Sequence, residues 1–286
     1  FLCNSGAEAN ENALKLASFT TGKKKFITFS SSFHGRTSAA VAATDDTSII
    51  APVNETDNFI FCKFNDNDDF KNAFEKHRHE LAGVIIEGIQ GIGGICLPEQ
   101  EFIATIARLC RGNRVFFICD EIQSGYGRSG KFFAHQYYGV RPDILTVAKG
   151  MANGFPAGGV LISPNIAAKH KMLGTTFGGN HLACAAGIAV LDIIKDEGLT
   201  QNAATIGEFL ISEIKKIKAV KEVRGKGLMI GLDFDGPAAE VSKRLRETHR
   251  ILVGSASNPN TMRLLPPLTV SRAQAEKFVE ALKQSV

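Results

Sequence analysis

An aspartate and a lysine, each placed just past a short apolar run, are where this chain can do chemistry. Residues 115–119, Val-Phe-Phe-Ile-Cys, are too few for a helix and right for a strand covered on both faces, and Asp120 follows at once. A second run, residues 144–147, leads into Ala148-Lys149-Gly150. Ligands of open parallel sheets sit beyond the carboxyl ends of the strands, so both runs should end on one rim and bring a carboxylate and an amine together. An amine among glycines and apolar side chains can lose hydration, which lowers its basicity and makes it a nucleophile able to form a Schiff base. A lone Lys and Asp are more often a surface salt bridge; the rest of the chain weighs against that reading.

The elements that must position this pair can be read from pattern. Ser5-Gly6-Ala7-Glu8 has the form of a capping box ahead of a helix that buries Ala9, Ala13, Leu14 and Ala17. The amides at such a helix start are free to bind a phosphate. Residues 25–30, 58–63, 82–86 and 160–163 read as strands. Helices are predicted over 66–79, with Phe70, Ala73 and Phe74 inward, and over 99–111, with Phe102, Ile103, Ile106 and Leu109 on one face. Residues 150–159 read as loop. A small-residue helix over 183–196, suited to an interface, precedes a second one reaching about residue 218. The domain change is placed near Gly198, giving a large domain over 1–197 and a small one over 198–286. Residues 223–234 open the small domain as a strand pair, and Ser271 with Gln274 caps a last helix burying Ala275, Phe278, Val279 and Leu282. Strands alternating with helices imply an α/β fold built on a mostly parallel sheet.

With 286 residues, 44% hydrophobic and 22% charged, the chain is long enough for one large α/β domain and a smaller one. The net charge of +4 comes from Lys and Arg spread along the chain, with no basic block to suggest nucleic acid or a membrane surface. No apolar run approaches the roughly 20 residues of a membrane span. The six cysteines show no metal-binding spacing, several sit inside apolar runs, and a reducing, cytoplasmic compartment fits them. His77 and His79 read as solvated, because nothing nearby completes a metal site. The opening Phe1-Leu2-Cys3 reads as the end of a strand already inside a fold, so a preceding N-terminal segment is expected to be missing.

Residues 119–134, Cys-Asp-Glu-Ile-Gln-Ser-Gly-Tyr-Gly-Arg-Ser-Gly-Lys-Phe-Phe-Ala, with Pro-Asp-Ile-Leu-Thr-Val-Ala-Lys-Gly at 142–150, resemble the core of the class III pyridoxal-phosphate (PLP) aminotransferases. The chain is most similar to the acetylornithine/succinylornithine branch, along nearly its whole length. The resemblance implies PLP fold type I: a large, mostly parallel sheet of the seven-stranded type, flanked by helices, with a small C-terminal α/β domain. Lys149 would bind PLP covalently, Asp120 would pair with its ring nitrogen, and Gln123 would lie near its ring oxygen. Gly6 and Ala7 would hold the phosphate, Phe33 would stack on the ring, and Thr176 would reach the phosphate of a partner subunit in a homodimer with shared active sites. Arg36, Arg263 and Glu87 would serve substrate, the arginines by gripping carboxylates. No metal is implied. The reaction would pass an amino group between N-acetylornithine, or N-succinylornithine, and 2-oxoglutarate in arginine biosynthesis. Ornithine, 4-aminobutyrate or another ω-amine is the alternative donor.

Glu87-Gly-Ile-Gln-Gly-Ile92-Gly-Gly departs from that family, whose usual pattern has Pro where Gly88 stands and a second Glu where Ile92 stands. Arg263 is then expected to find another anion, such as Glu87, or to stay open to substrate. His181 stands where the family more often has Pro. A dinucleotide-binding oxidoreductase is disfavoured, since no G-x-G-x-x-G follows a first strand and opens a helix. An inactive homologue is disfavoured by the joint presence of Lys149, Asp120 and Gln123.

Overall fold

The computed structural model describes residues 1–167 and 169–286. They form two compact units: Phe1–Gly88, Pro98–Gln123 and His135–Leu191 in the first, Ile89–Leu97, Ser124–Ala134 and Asp192–Val286 in the second.

The first unit is built on seven strands: β1 (Leu2–Cys3), β2 (Lys25–Phe29), β3 (Phe59–Cys62), β4 (Leu81–Glu87), β5 (Phe116–Asp120), β6 (Ile144–Val147) and β7 (Gly158–Ile162). Their spatial order is β1-β7-β6-β5-β4-β2-β3. The pairs β2 with β3, β2 with β4, β4 with β5 and β5 with β6 are parallel; β7 runs antiparallel to both β6 and β1. Every residue of β4 and β6 is buried, as expected for strands covered on both faces. The predicted strand at 115–119 is shifted by one, so that Asp120 is the last strand residue and pairs across to Glu87 and Thr146.

Five helices accompany this sheet: α1 (Gly6–Thr21), α2 (Ser38–Ala42), α3 (Asn67–His77), α4 (Gln100–Asn113) and α5 (His181–Asp196), whose last residues belong to the second unit. Strand side chains alternate between faces, and this sorts the helices. Phe26 and Ile118 share a buried cluster with Ala9, Ala13, Leu14 and Ala17 of α1. Phe29, on the opposite face, packs against Phe70 of α3 and Phe102 of α4, with ring centroids 6.0 and 5.2 Å apart. Each such fully buried ring contributes about 1.5–3 kcal/mol of burial. Ala73 and Leu109, expected inward, are only half-buried, and Thr105 and Cys110 take the inward positions on α4.

The cap of α1 differs from the predicted box in one respect. Ser5 Oγ accepts the Glu8 N–H at 3.2 Å, but the Glu8 carboxylate reaches past Ser5 to the Asn4 N–H, at 2.6 Å. Among the described residues, no helix is long and apolar enough to cross a membrane.

The second unit contains α6 (Leu199–Ile214), β8 (Val220–Lys226), β9 (Met229–Phe234), α7 (Ala238–His249), β10 (Gly254–Ser255), β11 (Thr261–Leu264) and α8 (Arg272–Ser285). The sheet order is β10-β11-β9-β8, antiparallel throughout, over a core that includes Leu210, Ile230, Leu232, Met262 and Leu282. Gly207 lets α6 sit directly on the β8–β9 turn: a Cβ there would lie 2.0 Å from the Gly227 carbonyl oxygen. The predicted capping box of α8 is complete, with Ser271 Oγ accepting the Gln274 N–H and Gln274 Oε1 accepting the Ser271 N–H.

Candidate active site

Parallel strands deliver their carboxyl ends to one rim, and here β4 and β5 end on Glu87 and Asp120, with Thr146, one residue before the end of β6, next in register and all three buried. Past β6 the chain turns sharply. Lys149 adopts a left-handed φ of 47° and opens a 3-10 turn, Lys149–Ala152, where the sequence suggested plain loop. Such backbone is uncommon for a residue with a side chain and collects at functional sites. A cavity of about 400 Å3, inside the range of small-molecule pockets, opens over this rim. Eight of the sequence-predicted site residues line it: Gly6, Ala7, Phe33 and Arg36 from the α1 start and the loop after β2, and Glu87, Asp120, Gln123 and Lys149 from the strand ends.

Asp120 is the most constrained group. Its Oδ2 accepts from Asn10 Nδ2 at 2.7 Å and bonds His34 Nδ1 at 2.8 Å, while its Oδ1 accepts the Ile122 N–H at 3.0 Å. Asn10 also donates to the His34 carbonyl at 2.7 Å, closing the network. A carboxylate offers about four acceptor sites, so one remains for a further donor in the cavity. Asn10 and His34 were missed in the sequence. The signal was there for Asn10, which falls on the same helical stripe as Ala13, Leu14 and Ala17, and a buried amide requires partners. His34 carried no periodic signal, because it lies in a loop.

Other members are placed by backbone. The Phe33 N–H donates to Glu87 Oε1 at 3.0 Å. Ala9 N–H returns to the Ser5 carbonyl and Glu8 N–H to Ser5 Oγ, so the Gly6 and Ala7 amides are the first-turn groups without an intrahelical partner. They face the cavity at the positive end of a 16-residue helix. Gly35, at φ 138°, brings its loop against α1; a Cβ there would meet Ala7 Cβ at 2.8 Å. Lys149 is exposed, so burial does not strip its hydration as its surroundings in sequence suggested.

Two predicted residues lie outside this cavity lining. Thr176 is exposed in the segment before α5. Arg263 belongs to β11 of the second unit, where its Nε donates to the Ser255 carbonyl. Ile92 is also in the second unit, its carbonyl accepting the Ser257 N–H at 2.9 Å. His181 is the exposed first residue of α5.

The residues fit a pyridine cofactor bearing an aldehyde and a phosphate. An amine, a carboxylate with an acceptor site to spare and a helix N-terminus share one cavity, and the buried Asn10 Oδ1 and His34 Nε2 have no partner among the described residues. A seven-stranded, mostly parallel sheet with that constellation at its strand ends defines a PLP enzyme of fold type I. Comparison with known proteins makes the class specific: the chain belongs to the aminotransferase class-III family, whose pattern matches residues 1–286. It is 44% identical over 294 aligned residues to the acetylornithine aminotransferase of Bacillus subtilis, covering all of this chain and 75% of that protein. A transaminase structure from the marine bacterium Virgibacillus superposes with a TM-score of 0.93 at 26% identity, over 100% of this chain and 74% of that one. The ornithine aminotransferase of Toxoplasma gondii, solved with partial occupancy of PLP, gives a TM-score of 0.91 at 28% identity, over 99% and 71%.

Proposed function

We propose that this PLP-dependent aminotransferase moves the terminal amino group of N-acetylornithine, or N-succinylornithine, to 2-oxoglutarate, in arginine biosynthesis. The observation that carries the reading is the Asp120 carboxylate, fixed by Asn10, His34 and the Ile122 amide in the cavity that Lys149 also lines. Similarity to acetylornithine aminotransferases at 35–44% identity supports the donor.

PLP supplies an electron sink for the carbanion formed at the amine-bearing carbon. The chain's own groups do the rest. Asp120, buried and unable to rotate against three hydrogen bonds, would present a fixed negative charge to the ring nitrogen, and its burial makes that charge act more strongly than in solution. The Gly6 and Ala7 amides would hold the phosphate at the α1 terminus. Phe33, its backbone tied to Glu87, would cover a ring face, and Gln123 would lie near the ring oxygen. Lys149 Nζ would be the covalent anchor for the cofactor and, as a free amine beside the substrate, would carry the proton from the amine-bearing carbon to the carbon that was the cofactor's aldehyde. Its exposure leaves room for substrate to approach. Arg36, at the exposed edge of the cavity, grips a substrate carboxylate, and Arg263 is assigned the second one.

The active form is proposed to be a cytoplasmic homodimer in which Thr176 serves the partner's phosphate. The exposed Phe177, Leu182, Ile188 and Leu191 around that segment and along α5 support a covered face there, and six free cysteines support a reducing compartment. The test is steady-state turnover of the purified holoenzyme with 2-oxoglutarate and each of four donors. N-acetylornithine or N-succinylornithine should give the highest kcat/KM; a higher value for ornithine or 4-aminobutyrate would reassign the donor.

A further inference from the structure

Strand alternation that turns Asp120 toward α1 turns Cys119 and Glu121 to the other face of the sheet, away from the cofactor cavity. There they meet His135, from the 3-10 turn Ala134–Tyr137. Glu121 Oε1 lies 3.0 Å from His135 Nδ1 and 3.9 Å from Cys119 Sγ, and all three donor atoms fall within 4.8 Å of one another. Cys119 and Glu121 are fully buried; the His135 side chain is 14% exposed.

Two features separate this group from an ordinary hydrogen-bonded brace. The first is its donor set: one sulfur, one imidazole nitrogen and one carboxylate oxygen are the three ligand types of protein zinc sites. A tetrahedral zinc with bonds of about 2.0 Å to N and O and about 2.3 Å to S spaces its ligands about 3.3–3.6 Å apart, and the 3.0 and 3.9 Å separations here bracket that spacing. A brace accounts for the Glu121–His135 contact but leaves the thiol at a distance too long for a strong bond. The second is charge. Glu87, Asp120 and Glu121 are all buried at these strand ends, and no lysine or arginine is buried among the described residues. That concentration of buried carboxylates disfavours further negative charge and favours a cation.

We propose that Cys119, Glu121 and His135 form a binding site for a divalent cation of the zinc type, separate from the catalytic cavity. Binding releases the Cys119 thiol proton to solvent, moves the His135 ring proton from Nδ1 to Nε2, and leaves the fourth coordination position to water entering past His135. Both neighbours of Asp120 along the chain are then held by one ion or by its ligands' backbone, which stiffens the end of β5.

The test is zinc uptake by chelator-stripped holoenzyme, measured by elemental analysis after desalting, with zinc-edge X-ray absorption on the loaded protein. The expected result is one zinc per chain with a shell of one sulfur and three lighter atoms, and a raised melting temperature. Uptake should fall to about a tenth or less in Cys119→Ser and in His135→Gln and stay intact in Cys184→Ser, a half-buried cysteine elsewhere. Substoichiometric zinc in the wild type, a shell lacking sulfur, or uptake unchanged in folded His135→Gln would overturn the site. Should Cys119→Ser fail to fold, the wild-type absorption spectrum and His135→Gln still decide.

Discussion

In the first unit, parallel strands bring Glu87, Asp120 and Thr146 side by side at their carboxyl ends, all buried, and the polar network there joins residues from α1, a loop and β5. In the second unit, antiparallel strands carry their charges part-way along, as the pair Arg224 and Asp233. That pair makes contacts of 2.6 and 3.0 Å, with Thr261 adding a bond of 2.6 Å, at about 20% side-chain exposure. The difference follows from direction. Parallel strands bring like ends to one rim, where unlike residues can converge on a ligand; antiparallel strands alternate their ends, and a charge within them finds its partner across the ladder and serves stability.

Three substitutions test this division, in order of expected effect. Lys149→Ala should lower transamination by at least about a thousandfold, since it removes both the covalent anchor and the base. The melting temperature of the cofactor-free protein should stay near wild type because the side chain is exposed; turnover within tenfold of wild type would remove Lys149 from its role. Asn10→Leu deletes the donor to Asp120 and to the His34 carbonyl. A loss of about 1–3 kcal/mol in denaturant unfolding should accompany a fall in turnover of about tenfold. Loss of stability alone would make Asn10 a core residue only.

Asp233→Asn should be the mirror case, with turnover unchanged and stability lower by about 1 kcal/mol at neutral pH. Partial burial opposes ionisation of Asp233, but the Arg224 and Thr261 hydrogen bonds outweigh it and hold the carboxyl below its ordinary range. A lowered folded-state value contributes stability above the unfolded value, near 4, and loses it as the pH falls through the lower folded one. The gap between wild type and Asp233→Asn should therefore be constant near neutrality and close below about pH 4. A gap that persists at lower pH would attribute the effect to packing.

Much of this was legible before any coordinates. The strand end at Asp120, the place of Lys149 just past β6, the α1 start, the inward Phe70 and Phe102 and the α8 cap all follow from short-range rules: apolar runs too short for helices, 3.6-residue periodicity and side chains that satisfy helix ends. The same rules failed where a residue answers to a partner far along the chain. Glu8 bonds Asn4 rather than closing its box, and Lys149 is exposed although its sequence neighbours are small and apolar.

The sequence by itself determined which residue types end each strand, because alternation and run length are properties of consecutive residues. Only the tertiary structure decided what those ends meet. Asn10 and His34 reach Asp120 from 110 and 86 residues away, and His135 meets Glu121 across 14. Segments Ile89–Leu97 and Ser124–Ala134 join the C-terminal unit although the chain enters and leaves them from the first. Such encounters depend on sheet order and on which face each side chain takes, and a hydrogen bond between distant residues leaves no periodic trace in either one's neighbours.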